Sequence, residues 1–362
     1  MEIEQYILRK GASLDKLKKR ISNFEVFDFN YIPARPLMRE ETKPIVDSLL
    51  RYDKTGIPNN LIVVGSRGSG KTLTIKYLKK VFEAESKLKV LYANCRHLNT
   101  SFKIIAGLLN LKPRGHCLTE LYSKFKERYP QKTILVLDEG DLISEKDKNK
   151  DIFYFLSRSD RNYMTILLSN NPRFLNSLDA PTRSSLQPEV IHFKDYNAVE
   201  IKKILHERAR AGLKNYNLNV IAQIAALTTQ LTNSDVRVAI KTLYYWATRT
   251  EKTIKDNFNK AQKDIVFDVI NNLNDHNILI LKAISEIREK FVKAVYQRYR
   301  QISTKQGIEG FSYVYFYNYL TYLQSLGLIL LFLTKVNRAY TNTINLNFDP
   351  SIIDSIYGTK FG

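Results

Sequence analysis

Hydrophobic positions along this 362-residue chain change period part-way through. In the first half, short apolar runs stand between stretches of helical spacing. The runs are Leu61-Ile-Val-Val64, Lys87-Leu-Lys-Val-Leu-Tyr92, Thr133-Ile-Leu-Val-Leu137 and Met164-Thr-Ile-Leu-Leu168. Each is too short for a helix and reads as a buried strand. Two prolines force extended chain over Tyr31 to Pro36, and a helix opens at Arg39 and runs to about Tyr52 with Ile45, Leu49 and Leu50 on one face. Further helices are predicted after the first strand to about Phe82, and over about 101–111 and 118–128. Strands alternating with helices imply a parallel sheet covered on both faces.

From Asn197 the spacing is helical: about 198–212, 217–228 and 234–248, then a polar linker Thr250–Asn257, then about 260–272, 276–289 and 291–300. The chain ends as helix 312–326, strand 328–333, turn Lys335–Asn337 and strand 341–347. That order is a winged helix-turn-helix. The expected domains are 1–196, with 1–30 as an N-terminal arm; a helical lid, 197–257; and a winged-helix domain, 258–362.

The first strand runs into Gly65, Ser66, Arg67, Gly68, Ser69, Gly70, Lys71 and Thr72, with Leu73 following. This is the phosphate-binding pattern G-x-x-x-x-G-K-[ST] in the context it requires, strand before and helix after. Glycines let the backbone curl so that N–H groups face phosphate oxygens, and the helix adds its positive end. Lys71 is expected to reach the β- and γ-phosphates, and Thr72 to ligate Mg²⁺. The third strand ends in Asp138-Glu139, where ligands of open α/β sheets bind. Asp138 is expected to hold Mg²⁺ through water, and Glu139 to orient or deprotonate the attacking water. Asn170, after the fourth strand, is a candidate γ-phosphate sensor, although Asn-Asn-Pro is also an ordinary turn. The fold class is thus α/β, a P-loop NTPase sheet with a helical lid and a C-terminal winged helix; the cofactors are ATP/ADP and Mg²⁺.

Composition narrows the partner. Apolar residues make up 44% and aromatics 11%, which excludes a disordered chain. Net charge is +20, calling for a polyanion. No basic amphipathic helix with a Trp/Phe/Leu face is present, so nucleic acid is expected rather than a membrane. Two cysteines, Cys95 and Cys117, form neither a disulfide framework nor a four-ligand zinc set. With acids in Met1-Glu-Ile-Glu-Gln where a secretory leader carries bases, the expected location is cytoplasmic and nucleoid-associated.

Several segments together resemble the archaeal origin-recognition/cell-division-control initiator family of AAA+ ATPases. They are Pro33-x-x-Pro36-Leu-Met-Arg39-Glu-Glu41, the Gly65–Thr72 loop, Tyr92-Ala-Asn-Cys-Arg96, Leu137-Asp-Glu139, Leu168-Ser-Asn170, Leu178-Asp-Ala-Pro-Thr-Arg-Ser-Ser-Leu186, Tyr196-Asn-Ala-x-Glu200 through Arg208-Ala, and Ser234-Asp-Val-Arg237-Val-Ala239. The resemblance implies an ATP-binding sheet domain, a lid and a winged helix that engage replication-origin DNA. It implies Asn170 as first sensor and Arg237 as the lid arginine on the γ-phosphate, although Arg237 also reads as an exposed helix base. It implies that Tyr31 to Arg39, Pro36 included, lie against the adenine, with Tyr196 also at the nucleotide. Lys112 and Arg114 fall in an insertion that contacts DNA in the family. Two departures stand out: Gly140-Asp141 follows Glu139 where an apolar residue is usual, and Ala180-Pro181-Thr-Arg183 lacks the family's trans-acting arginine in its usual place.

In helix 312–326, Phe316, Leu320 and Leu323 are expected to face the core, leaving Ser312, Tyr315, Asn318 and Tyr322 nearer the outside. A recognition helix presents such residues to base edges. Lys335, Asn337 and Arg338 in the wing turn suit phosphates or an A·T-rich minor groove. Winged helices also dock proteins, but the scarcity of acids here favours DNA. The leading expectation is an ATP-switched origin-binding initiator, hydrolysing ATP slowly, with paralogous initiators and a replicative helicase as further partners. The alternatives are a loader or motor resembling a clamp loader, and a signalling ATPase whose winged helix docks protein.

Overall fold

The computed structural model describes residues 3–4, 20–86, 88–112, 114–144, 147, 150–159, 162–249, 252–288, 290–336 and 339–362. They form two compact units, one of residues 32–195 and one of 196–362 with the described part of 1–31.

The first unit carries α1 (Thr42–Thr55), β1 (Leu61–Gly65), α2 (Lys71–Glu85), β2 (Lys89–Asn94), α3 (Ser101–Leu108), α4 (Leu118–Arg128), β3 (Thr133–Asp138), α5 (Asp151–Ser157), β4 (Tyr163–Ser169), α6 (Ala180–Leu186) and β5 (Glu189–Phe193). The strands lie in the order β2-β3-β4-β1-β5, every pair parallel. Successive side chains of a strand point to opposite faces. Accordingly Leu61 and Val63 pack with Ile134 and Val136 in one core, while Ile62 and Val64 pack with Leu135 and Leu137 in the other. The four expected strands are present. The fifth, β5, pairs with β1 and makes β1 an interior strand. Helix α1 begins at Thr42, not Arg39, and buries Ile45, Leu49 and Tyr52; Leu50 is exposed.

The second unit carries α7 (Ala198–Gly212), α8 (Leu218–Leu231), α9 (Val236–Thr248), α10 (Ile254–Asn271), α11 (Asp275–Glu286), α12 (Val292–Lys305), α13 (Tyr313–Ser325), β6 (Ile329–Val336), β7 (Ala339–Leu346) and α14 (Ser351–Phe361). The expected linker Thr250–Asn257 is corrected in its described part. Thr253 and Asp256 form a capping box, in which each satisfies the other's backbone N–H, and α10 starts there. Asn257 and Phe258 are fully buried, so the boundary drawn between 257 and 258 falls inside a helix. Phe258, Ala261 and Ile265 pack with Val238 of α9, while Ile270 joins the C-terminal core. The hairpin β6–β7 is joined at Thr343 by Phe291, just before α12, and α14 buries Ile352, Ile353 and Ile356 in the same core. No helix among the described residues is long and apolar enough to cross a membrane.

Candidate functional site

Parallel register brings the C-terminal ends of the strands level: Asn94 lies opposite Asp138, Val64 opposite Ser169, and Gly65 opposite Phe193. The loop after β1 therefore meets the residues after β3 and β4. Gly70 takes φ +90°, in the left-handed region that only glycine enters without strain, and serves as N-cap of α2. No side chain caps α2. Its positive end is the feature that suits an anion.

Lys71 is buried, and its Nζ donates to the carbonyl oxygens of Gly65 at 2.7 Å and Ser66 at 2.8 Å and to Asn170 Oδ1 at 3.1 Å. Thr72 Oγ1 donates to Asp138 Oδ2 at 3.0 Å, and the Tyr92 hydroxyl donates to the same carboxylate. Burial pushes the Asp138 carboxyl above the usual range, against the pull of the Tyr92 and Thr72 hydrogen bonds. A hydroxyl and a buried carboxylate in contact are hard oxygen donors that fit Mg²⁺. Arg67 and Leu73 are half-buried, and Ser66 Oγ donates to Asp195.

Glu139 sits differently from a free base. Burial acts to raise its carboxyl, but Arg96 outweighs that and holds it below the ordinary range, with Nε donating to Oε2 at 2.7 Å and Nη2 to Oε1 at 3.0 Å. Asn170 N–H donates to Asp141 Oδ1 at 3.2 Å, so this aspartate fixes the backbone of the residue whose side chain meets Lys71. Burial raises the Asp141 carboxyl.

The departure at Gly140 has a steric cause. A Cβ there would stand 2.0 Å from Leu167 Cδ1, in the buried core. Gly140→Ala is expected to cost about 1–3 kcal/mol through overpacking, read as a lowered denaturation midpoint. Gly140→Ala should cost less in a Leu167→Ala background, where the added Cβ meets a cavity, than in the wild-type chain; a midpoint unchanged by the single substitution would show that the core yields.

Two anchors escape a sequence reading. Arg39 is buried, donating to the carbonyls of Ser69 at 3.0 Å and Lys194 at 2.9 Å and pairing with Glu41 at 3.2 Å. It thereby holds the phosphate loop from behind. Arg96 is the other. Both lie in segments quoted above, but nothing local marks them as partners of the loop or of Glu139.

Of the remaining candidates, Pro36 is half-buried in the first unit, while Tyr31, Tyr196 and Arg237 belong to the second. There Tyr31 lies under the Arg208 guanidinium, 5.3 Å from its ring centroid, and Tyr196 is buried. Arg237 Nε donates to Asp235 Oδ1 at 2.9 Å, within a salt bridge to the N-cap of its own helix. Arg183 is exposed on α6, which Asp179 caps.

Lys112 and Arg114 are exposed after α3. In the winged helix, Phe316, Leu320 and Leu323 are fully buried as the spacing predicts, and Tyr315 and Asn318 are exposed. Tyr322, expected nearer the outside, is half-buried against the core because its ring follows the buried stripe. Ser312 is the N-cap of α13 and accepts from Tyr315 N at 3.4 Å. Lys335 lies in β6, whereas Asn337 and Arg338 fall outside the described residues. Exposed Tyr313 and Val314 on α13, and Lys293 and Arg300 on α12, were not among the sequence candidates.

Comparison with known proteins bears on both halves. The AAA domain family matches residues 57–178, and the CDC6 C-terminal winged helix domain matches residues 268–355. The ORC1-type DNA replication protein 1 of Sulfurisphaera tokodaii is 32% identical over 339 residues, covering 85% of this chain and 85% of that protein. The ORC1-type DNA replication protein 1 of Archaeoglobus fulgidus is 25% identical over 366 residues, 91% of this chain and 89% of that protein. Among solved structures, the Aeropyrum pernix ORC1 protein in complex with DNA superposes with a TM-score of 0.69 at 21% identity, covering 95% of this chain and 98% of that one. At that identity the likeness shows a shared fold.

Proposed function

We propose a function from one established premise: the chain belongs to the ORC1-type DNA replication protein family. It is a nucleotide-switched protein that binds double-stranded DNA at replication origins and hydrolyses ATP slowly. One observation carries this reading. A chain of net charge +20 joins the Lys71–Asn170 and Thr72–Asp138 contacts to a C-terminal winged helix.

The phosphate loop, Gly65 to Leu73, cradles the triphosphate, with Lys71 on the β- and γ-phosphates. Thr72 and Asp138 hold Mg²⁺, which when bound neutralises charge on the phosphates. Asn170 orients the terminal phosphate and Arg237 reads it from the lid. Tyr31, Pro36 and Tyr196 line the base. Glu139 positions water, and its bidentate pairing with Arg96 restrains it, which supports slow turnover. Lys112, Arg114, Lys335, Asn337 and Arg338 contact phosphates or the minor groove, while Tyr315 and Asn318, with the capping Ser312 beside them, face the major groove. The setting is the cytoplasm, on the DNA, with paralogous initiators and a replicative helicase as further partners.

Duplex binding tests the proposal. With roughly six to eight phosphates neutralised, log affinity should fall against log salt with a slope of about −5 to −7. Affinity should differ between ATP-loaded and nucleotide-free protein, and Arg338→Ala should flatten the slope by about one unit. Duplex affinity indifferent to salt and to nucleotide would overturn the reading.

A further inference from the structure

Helix α13, Tyr313-Val-Tyr-Phe-Tyr-Asn-Tyr-Leu-Thr-Tyr-Leu-Gln-Ser325, carries no charged side chain. Its buried stripe is Phe316, Leu320 and Leu323, and its first turns expose Val314 at 72% together with Tyr313, Tyr315 and Asn318. A single exposed apolar residue is ordinary. Here, however, the exposed positions lie in the N-terminal half, where recognition helices touch base edges.

The neighbours of Val314 are already engaged. Ser312 Oγ is the helix cap, Tyr313 stands edge-on to Tyr296 at 5.2 Å, and Tyr315 leans on Phe311 at 5.2 Å. Val314 and Asn318, four residues apart, project from one face about 6 Å apart along the axis. Lys293, Arg300 and Lys305 on the preceding α12 are exposed, and Arg300 Nη1 donates to the Gly310 carbonyl at 2.6 Å, two residues before the Ser312 cap. An uncharged face carrying an amide and an apolar group, on a chain of net charge +20, suits base edges on a polyanion.

Resting on the DNA-binding reading above, we propose that α13 selects A·T pairs in the major groove, Asn318 pairing with the adenine edge and Val314 packing on the 5-methyl group of a neighbouring thymine. An A·T pair offers the N7 acceptor and N6 donor that an amide matches, and a methyl group that valine covers. Cytosine in that place would set an N4 donor against valine with no acceptor, a desolvation penalty. The two side chains therefore both attract A·T and repel G·C.

The test uses the full chain and labelled alternating dA·dT duplex, the same duplex with uracil for thymine, and alternating dG·dC with and without 5-methylcytosine. Losing the thymine methyl should weaken binding about four-fold, the worth of one buried methyl group, and 5-methylcytosine should strengthen dG·dC binding. Val314→Ala should erase the thymine–uracil difference while leaving the salt slope unchanged. Asn318→Ala should cut the preference for dA·dT over dG·dC about ten-fold and keep the methyl effect. Equal affinity of the wild-type chain for thymine and uracil duplexes, or a methyl effect surviving in Val314→Ala, overturns the inference while DNA binding stands. Failure to bind any of the duplexes overturns the DNA-binding reading itself. If Val314→Ala instead dissociates a dimer and leaves duplex affinity intact, the face is a protein interface and the inference falls.

Discussion

Replacing Lys71 by alanine is expected to abolish nucleotide binding, lowering affinity for a labelled ATP analogue at least about a hundred-fold. The ammonium lies at the focus of the loop, within 2.8 Å of two loop carbonyls and 3.1 Å from Asn170. From there it would reach a bound triphosphate by exchanging carbonyl acceptors for phosphate oxygens. Two charge-assisted hydrogen bonds contribute about 3–6 kcal/mol together. Alanine removes both, and the positive end of α2 remains as the main attraction for the phosphates. The loss must be separated from unfolding, because the substitution also takes the ammonium donor from the Gly65 and Ser66 carbonyls, of which Ser66 keeps the Ser69 hydroxyl at 2.9 Å. A denaturation midpoint measured without nucleotide makes that separation: it should fall by far less than the affinity does. Undiminished affinity in a folded variant would remove the phosphate-loop assignment.

How much of this site was legible in the sequence depends on how local its causes are. The loop, Thr72, Asp138 and Glu139 were legible because a strand period breaking into Gly-x-x-x-x-Gly-Lys-Thr, and another ending in two acids, are local patterns. Their partners were not. Arg96 reaches Glu139 because β2 and β3 pair with Asn94 opposite Asp138, a register that no short segment encodes. Arg39 follows a proline-rich stretch and is expected only at a helix start and, by the resemblance, in the segment against the adenine; its burial and its bond to the Ser69 carbonyl come from the fold. The usual clue to Asp141 was the departure at Gly140, whose cause is the tertiary approach of Leu167. The polar stretch before Phe258 misleads in the opposite sense. Thr253-Ile-Lys-Asp256 is a helix-start signature, and composition alone makes it look like a linker. Elements α5, α6, β5 and α14 were missed because each is short or lies beside turn residues, and their burial comes from packing.

The clearest case of packing beyond local pattern is Arg208, and its removal carries the second large expected effect. Arg208→Ala should destabilise the protein by about 3 kcal/mol, since three carbonyls, that of Val26 buried and the others partly so, lose a charged donor. The side chain is 3% exposed. Its Nη1 donates to the carbonyls of Val26 and Asp28, the latter at 2.9 Å, and Nη2 donates to that of Tyr31 at 3.4 Å. Burial opposes this arrangement, depressing the guanidinium to about 10. Sign follows directly: the folded chain holds that proton less tightly than the unfolded one, so desolvation costs stability at neutral pH and the contacts must exceed it. The same segment is pinned elsewhere by Ser22 N–H donating to the Gly212 carbonyl at 2.9 Å and by Val26 lying where a Cβ on Gly212 would stand. Losing Arg208 should therefore free residues 20–31 from α7 before the helices themselves melt. Hydrogen exchange at Ser22 should accelerate in Arg208→Ala while exchange within α8 stays slow. Arg208→Lys, which keeps the charge but not the fork, should recover only part of the midpoint. If the alanine variant keeps both its midpoint and the protection at Ser22, the remaining contacts at Gly212 and Leu213 hold the segment and Arg208 is not its anchor.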